Sequence, residues 1–258
     1  MWLRDDVGPN LAEVTEILPH GGTALTLLGL KDSTKDVDFS FRAEGDFKRL
    51  VQVLKKLSYE TTLDVKSRPN EHLIRLENPK RRVDVVDLRY PTWNDWRITT
   101  RILEKAIELP IGNVRLIRLD KETIFLFKTY PLRETDVSDL RTILDVSSLD
   151  GDRVISLFDE QDAMHRRELT DTSVEHEPLI NILNLRVRFA GSLQLIGPKY
   201  RRLIPKVARH ANRKLRDLGL GKSLRDLIDI LRDVDGVPDW DRIAGRQFEH
   251  LTRRLALE

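Results

Sequence analysis

The pattern of apolar and polar positions changes character a little past the middle of this chain. Before about residue 150, runs with a period of two, typical of strands, alternate with runs of period three to four, typical of amphipathic helices. Beyond that point the β-branched alternation fades, and charged amphipathic helices follow one another. The pattern therefore predicts an α+β domain at residues 1–149 and a mainly helical domain at 150–258, with no Pro- or Gly-rich linker between them.

Individual elements follow from the same periodicities. A strand is predicted over 35–41, and two β-rich runs within 71–90 predict a hairpin that turns at 78–80, where Pro79 removes a backbone donor. The apolar run 122–130 suits either a buried strand or a buried helix, and periodicity does not decide between them. Helices are predicted at 11–19, 46–57, 97–108, 136–145, 151–168, 198–218, 222–234 and 239–256.

Composition narrows the class of protein. The 258 residues contain no run of about 18 apolar residues, so the sequence predicts no membrane span. The first ten residues lack the basic start and apolar core of a secretory signal, and we therefore expect a cytoplasmic protein. The chain has no Cys, which excludes a disulfide scaffold and thiol catalysis.

Two carboxylates on the predicted strand 35–41 form the first candidate site. A period of two places Asp36 and Asp38 on one face and directs Val37 and Phe39 to the other. The pair is expected to have no basic neighbour on its face, so a Mg²⁺ ion at about 2.1 Å from both carboxylates would relieve their repulsion. The alternative is a pair of solvated aspartates on an edge strand.

A glycine pair precedes these carboxylates. Gly21 and Gly22 follow an apolar run and open the segment 23–29, so their backbone N–H groups are free to approach a phosphate at a helix start. The alternative is an ordinary tight turn. Together the two features favour a site for a nucleoside triphosphate.

The segment GGTALTLLGLKDSTKDVDF, residues 21–39, resembles the Gly-Gly plus Asp-x-Asp signature of the polymerase-β-like nucleotidyltransferase superfamily, in particular its toxin-like, abortive-infection branch. The resemblance implies a mixed sheet with flanking helices. It assigns Gly21, Gly22 and Thr23 to the triphosphate, and Asp36 and Asp38 to Mg²⁺ or Mn²⁺. The loop 33–35 also matches, which makes Lys35 a candidate nucleotide-binding residue.

The family also requires a third carboxylate on a neighbouring strand, which completes the metal site and helps to deprotonate the attacking hydroxyl. The run RRVDVVDLRY offers Asp84 and Asp87, which lie three apart and therefore on opposite faces of a regular strand. Only one can face the site, and we choose Asp84 for its basic-apolar-Asp-apolar setting. The alternative role for Asp84 is an ion pair with Arg81, Arg82 or Arg89.

A lysine further along the chain is the last nucleotide-binding candidate. Residues 124–144 resemble the Lys-containing segment of the branch, in which Lys128 matches the lysine that reaches the nucleotide phosphates. Lys128 stands in an apolar run, where a cation needs an anionic partner. That partner is either a phosphate or a carboxylate of Asp136 or Asp139, and the sequence leaves both alternatives open.

Charge is distributed unevenly in the predicted helical domain. The net charge of the chain is only +2, yet residues 185–216 contain ten Lys or Arg and no acidic residue. Such a basic block suggests an acceptor rich in phosphate, such as RNA. The candidate acceptor-binding residues are Arg201, Arg202, Arg209 and Arg213. The alternative is a solvated helix face whose bases pair with the acidic segment 226–235.

These features predict a metal-dependent nucleotidyltransferase that moves a nucleoside monophosphate from an NTP to an acceptor hydroxyl. RNA such as tRNA, a protein side chain and a small molecule remain open as acceptors. The branch resemblance adds a toxin role with a cognate antitoxin as partner. The competing interpretation is a non-catalytic module that binds nucleic acid or a partner within a toxin–antitoxin pair.

Overall fold

The computed structural model describes residues 2–68, 71–87, 96–171, 177–219 and 255. The chain divides into two compact units, Met1–Ile124 and Phe125–Glu258, which we call the sheet unit and the helical unit. The sequence placed the boundary between residues 149 and 150. The helix at 134–146, which that boundary assigned to the first domain, belongs to the helical unit.

The sheet unit is built on one mixed seven-stranded sheet. Its strands are β1 Thr15–Pro19, β2 Asp36–Phe41, β3 Glu60–Arg68, β4 Glu71–Asn78, β5 Arg81–Asp87, β6 Ile107–Ile111 and β7 Val114–Arg118. They lie in the order β3-β4-β5-β2-β1-β7-β6. The pairs β2–β5 and β1–β7 are parallel, and the other neighbouring pairs are antiparallel. This architecture confirms the α+β class.

Helical segments precede, separate and follow the strands along the chain, and the last of them crosses the division between the two units. A π-helical turn Leu3–Val7 and a 3₁₀ turn Gly8–Asn10 precede β1, and the α-helices are α1 Gly21–Leu27, α2 Glu44–Lys56, α3 Thr100–Leu103 and α4 Lys121–Lys128. The apolar face of α2, which includes Phe47, Leu50 and Leu54, belongs to the same core as Phe39 of β2 and Val85 of β5. One face of β2 and β5 is thus buried by α2.

Several predicted elements are confirmed, and two are wrong. The strand at 35–41 and the helix at 46–57 are present, and β4 and β5 form the predicted hairpin, of which residues 88–90 lie outside the described residues. Most of the run 122–130 belongs to the helix α4. The predicted helix at 11–19 is the strand β1. All five residues of β1 are buried, so both faces of the strand are covered and it shows no alternation of apolar and polar positions. Within 97–108 only α3 is helical, and the last residues enter β6.

The helical unit contains α5 Glu134–Val146, α6 Gly151–Asp171, α7 Glu177–Leu195, α8 Pro198–Arg201 and α9 Pro205–Asp217. The predicted helices at 136–145 and 151–168 are confirmed. The predicted helix 198–218 is interrupted, because Pro205 disfavours helical geometry at Ile204, which has φ −128° and ψ 54°. The predicted helices 222–234 and 239–256 lie outside the described residues. No helix in the described part of the chain has the length and apolar character needed to cross a bilayer.

Candidate functional site

The three candidate aspartates lie on one face of the sheet. Strands β2 and β5 are parallel neighbours, in which Asp38 pairs with Asp84 and Asp36 pairs with Arg82. Since side chains alternate along a strand, these four residues share a face, opposite the one that α2 covers. The strand register therefore brings residues 46 positions apart in sequence into one polar group.

The alternative third carboxylate occupies the opposite face. Asp87 pairs with Phe41 at the end of β5, so it lies on the side of the sheet that packs against α2. There it lines a cavity of about 370 Å³ together with Phe47 and His72. The expectation that Asp84 and Asp87 face opposite ways is confirmed by this register, and Asp84 is the one beside Asp36 and Asp38.

The glycine pair touches the carboxylate face directly. Gly21 begins α1 with φ +56°, and a Cβ atom built there would lie 2.5 Å from Oδ2 of Asp38. A Cβ at Gly22 would lie 2.5 Å from Oγ1 of Thr34. A side chain at either position would therefore displace Asp38 or Thr34, and the backbone conformation of Gly21 also favours glycine. Gly21 therefore belongs to a tight turn and also brings its backbone close to Asp38.

Two threonines fix the start of β2. Thr23 Oγ1 accepts a hydrogen bond of 2.9 Å from the backbone N–H of Asp38. The Thr34 hydroxyl donates one of 2.9 Å to the carbonyl of Asp36. Thr23, predicted to bind nucleotide, therefore also positions the aspartate pair. Lys35 is exposed and has no ion pair with another described residue, so its ammonium group can reach an external anion.

The expectation that the aspartate pair has no basic neighbour is wrong. Arg75 on β4 donates two hydrogen bonds to Asp84, from Nε to Oδ1 at 2.8 Å and from Nη2 to Oδ2 at 2.9 Å. Arg82 donates from Nη2 to Asp36 Oδ2, and its Nε lies 3.8 Å from Asp84 Oδ1. The hydrogen bonds from Arg75 to Asp84 raise the pKa of Arg75, against a smaller effect of burial.

The sequence analysis missed Arg75, and it named Arg82 as a partner of Asp84 but not of Asp36. Arg82 precedes Asp84 by two residues on the same strand, so the period of two already placed both on one face. Arg75 could be found only with the register of β4 against β5, which sets Arg75 opposite Asp84. The predicted alternative for Asp84, an ion pair with Arg82, is present at 3.8 Å beside the closer pair with Arg75.

The donor chemistry of this face suits magnesium. Carboxylate oxygens are the ligands that Mg²⁺ and Mn²⁺ prefer, and the face presents Asp36, Asp38 and Asp84. Within the described ranges, no three Asp, Glu, His or Cys side chains are grouped closely enough to hold a metal ion. The residues present match the ion in ligand type, and Arg82 would have to release Asp36 for the ion to use the lone pair that Arg82 now occupies.

Lys128 has carboxylate partners within the helical unit. Its Nζ lies 2.7 Å from Asp136 Oδ1 and 2.8 Å from Asp139 Oδ2, and all three residues are buried. Burial alone would lower the pKa of Lys128, but the two carboxylates outweigh it and raise that pKa. The ion pair that the sequence offered as an alternative is thus present, and a role of Lys128 at a nucleotide stays a prediction.

The basic block at 185–216 does not form one uniform surface. Arg186 is fully buried and binds Asp162 with two hydrogen bonds, of 2.7 and 2.9 Å. Lys214 contacts the same carboxylate at 3.0 Å and Asp159 at 3.1 Å. These cations hold helices together. Their partners lie on α6, whereas the sequence suggested partners at 226–235, which lie outside the described residues.

Other members of the block are available to a ligand. Arg202 and Arg209 are exposed and form no ion pair with any described residue. Arg201 donates to Gln194, and Arg213 donates to His210 Nδ1 at 2.8 Å. Arg209, Arg213 and Arg216 are spaced by four and three residues along α9, so they share one helix face. The candidate acceptor surface thus shrinks to a few arginines around α9.

No protein-family model, curated protein or solved structure matches this chain. The functional interpretation therefore rests on the sheet face that carries Asp36, Asp38 and Asp84, together with the glycine pair beside it.

Proposed function

We propose that this chain is a metal-dependent nucleotidyltransferase of the polymerase-β-like type. The observation that carries the proposal is the register of β2 against β5, which sets Asp38 opposite Asp84 with Asp36 on the same face. The backbone of Gly21 lies against the Asp38 carboxylate, so the two halves of the recognised sequence signature meet at one point. We assign no phosphate binding to the dipole of α1, since this helix has only seven residues.

The aspartates would hold the metal and the glycine turn would receive the triphosphate. Asp36, Asp38 and Asp84 are the residues that would bind Mg²⁺ or Mn²⁺. Such an ion, when bound, supplies positive charge that stabilises the attacking and leaving oxygens of an in-line displacement. Gly21 keeps a side chain out of the space next to Asp38, and Gly22 does the same next to Thr34. The exposed Lys35 offers a further cation for phosphate oxygens.

The reaction exchanges a phosphoanhydride bond of the NTP for a phosphate ester bond to the acceptor. The acceptor hydroxyl oxygen forms a bond to the α-phosphorus of the NTP, and the bond from that phosphorus to the pyrophosphate oxygen breaks. The hydroxyl proton passes to Asp84, whose oxygens keep lone pairs beside the two hydrogen bonds from Arg75. Pyrophosphate leaves, and the nucleoside monophosphate stays on the acceptor.

RNA is the acceptor that the charge distribution favours. Arg202, Arg209 and Arg213 are exposed in the helical unit and have no described carboxylate partner, and Arg201 directly precedes Arg202 in the chain. Guanidinium groups pair well with backbone phosphates. A toxin role with a cognate antitoxin follows only from the branch resemblance, as does the contact of Lys128 with the nucleotide.

One observation favours the competing class of function. Asp36 and Asp84 already have arginine partners, so the carboxylate face is partly neutralised without an ion. A non-catalytic module, which binds nucleic acid or a partner protein, would keep these pairs permanently. The two classes differ in whether the face binds a metal together with an NTP.

The test compares Asp84→Asn with Asp87→Asn, a matched control on the opposite face of the same strand. Calorimetry would measure binding of ATP, CTP, GTP and UTP with and without Mg²⁺, and radiolabelled NTPs incubated with total RNA would measure transfer. We expect metal-dependent NTP binding by the native protein, loss of transfer in Asp84→Asn and a mild effect in Asp87→Asn. Binding that is absent, or equal losses in both variants, would contradict the proposal.

A further inference from the structure

Arg82 lies between two of the carboxylates that the proposed reaction would use for metal. Its Nη2 donates to Asp36, and its Nε lies 3.8 Å from Asp84 Oδ1. The strand register explains this position, since Arg82 pairs with Asp36 and stands two residues before Asp84 on the same face. One guanidinium thus supplies positive charge to both carboxylates.

The hydrogen bonding of Arg82 is incomplete. Its Nε is shielded from solvent and has no hydrogen-bond acceptor within the described residues, because 3.8 Å to Asp84 is too long for such a bond. A buried donor without an acceptor costs free energy. Arg75, by contrast, forms two hydrogen bonds of good length to Asp84. Of the two arginines, Arg82 is the one held less well by the carboxylate face.

Arg82 also has room to move. Its side chain is 37% exposed, whereas that of its partner Asp84 is 9% exposed. A metal ion needs the carboxylate lone pairs that Arg82 now uses at Asp36, so metal and guanidinium compete for the same oxygens. Once released, the guanidinium stays tethered to β5 beside the site. A triphosphate bound beside these carboxylates would offer oxygens that suit the fork of an arginine.

We propose that Arg82 is a place-holding cation that changes partners during the reaction cycle. Without metal it neutralises Asp36 and Asp84, and with metal and NTP bound it pairs with the triphosphate. This inference rests on the proposed function, since it assigns a further triphosphate-binding residue to the same site. It predicts opposite effects of one substitution on the binding of metal alone and of nucleotide with metal.

The experiment titrates Mn²⁺ alone, followed by ATP at saturating Mn²⁺, into the native protein, Arg82→Gln and Arg81→Gln. Arg81 is the matched control, because it is the neighbouring arginine and its guanidinium lies 4.5 Å from the ring centre of Trp2 rather than at the carboxylates. We expect Arg82→Gln to bind Mn²⁺ about threefold tighter, the scale of a partly exposed ion pair. It should bind Mn²⁺–ATP about tenfold weaker, since a charge-assisted bond is lost. Arg81→Gln should change neither affinity.

A second measurement does not depend on the stability of that variant. NMR spectra of the native protein would follow the arginine side-chain Nε–H resonances, with Mg²⁺ used in place of Mn²⁺. We expect one of these resonances to shift when Mg²⁺ is added and to shift again when ATP is added. Arg82→Lys, which keeps the charge but not the fork, should recover part of the ATP affinity.

The outcomes separate the two proposals. Metal binding by the native protein with unchanged or weaker metal affinity in Arg82→Gln would overturn the role of Arg82 and leave the nucleotidyltransferase proposal standing. Unchanged ATP affinity in that variant, or arginine signals that do not respond to Mg²⁺ and ATP, would do the same. A native protein that binds neither metal nor ATP would overturn both.

Discussion

Gly21 shows how a single residue can be required for two independent reasons. Its φ of +56° lies in the left-handed region, and a Cβ atom there would lie 2.5 Å from Asp38 Oδ2. Gly29 matches it in backbone conformation, with φ +69°, but has no atom within 4 Å of a built Cβ. The two glycines therefore separate backbone strain from steric conflict with the site.

We expect Gly29→Ala to cost about 1–2 kcal/mol of unfolding free energy, the penalty of a left-handed alanine. Gly21→Ala should cost more than that, because the strain is joined by contact with the Asp38 carboxylate, and it should also lose Mg²⁺-dependent NTP binding. Urea denaturation and calorimetry on both variants would measure the two effects. Equal destabilisation, with NTP binding intact in Gly21→Ala, would show that the close approach to Asp38 is unimportant.

At the scale of residues, the sequence predicted side-chain direction well and side-chain partners poorly. Direction along a strand follows from a period of two, which placed Asp36 and Asp38 together and separated Asp84 from Asp87. Partners depend on register between strands, which no local pattern contains. Arg75 opposite Asp84 was missed for that reason.

At the scale of elements, burial of both faces explains why β1 was wrongly predicted to be part of a helix. An amphipathic pattern is visible only where one side of an element meets water, and all five residues of β1, which point to both faces of the sheet, are buried. The strand β2 and the helix α2 each have one polar side, and both were predicted within a few residues. The same limit applied to the run 122–130, whose buried helix α4 the periodicity left undecided.

Helices α6 and α7 are joined by a buried ion pair, which gives a prediction at this scale. Asp162 and Arg186 are both fully buried and share two hydrogen bonds, and Lys214 of α9 contacts the same carboxylate. Asp152 provides the matched control, because it lies on the same helix but is exposed and pairs with Lys206 at 2.8 Å. We expect Asp162→Asn to cost about 3–5 kcal/mol of unfolding free energy, since Arg186 is left buried without its carboxylate. Asp152→Asn should cost less than about 1 kcal/mol.

The ion pair of Asp162 should also affect how the free energy of unfolding depends on pH. Burial acts to raise the pKa of Asp162, but the hydrogen bonds and charges of Arg186 and Lys214 outweigh it and lower that pKa below its ordinary value. The stabilisation is therefore fully present above the unfolded-state pKa of about 3.9 and is lost as the pH falls through the lower folded-state value. Urea unfolding between pH 7 and pH 2 should show a smaller acid loss in Asp162→Asn than in the native protein. An unchanged acid profile would mean that other carboxylates dominate.

At the scale of the whole molecule, net charge says little about where a partner binds. The chain has 44 basic and 42 acidic residues, and even the basic block 185–216 is partly neutralised by aspartates from other helices. The sequence showed where the basic block lies. It could not show which of its cations pair with carboxylates inside the protein and which are exposed to a ligand, because that depends on how the helices pack. Arg186 is the largest fully buried side chain of the described residues, although it belongs to the most basic segment of the sequence.

This division makes the salt dependence of RNA binding a test of which cations are external. Four arginines in or near α9 are exposed, namely Arg202, Arg209, Arg213 and Arg216. If all four contact phosphates, counterion release predicts a slope of log K against log salt of about −2.8 for single-stranded RNA, at about −0.7 per contact. Replacing Arg202 and Arg209 with Gln should flatten the slope by about 1.4, because neither has a described carboxylate partner. Replacing Lys199 and Lys206 with Gln removes the same charge, but these lysines lie beside Asp145 and Asp152, so the slope should change much less. Filter binding between about 50 and 200 mM salt would measure all three proteins. Equal slopes in the native protein and the arginine variant would show that RNA does not bind this surface, whereas equal flattening in both variants would mean that only the total charge matters.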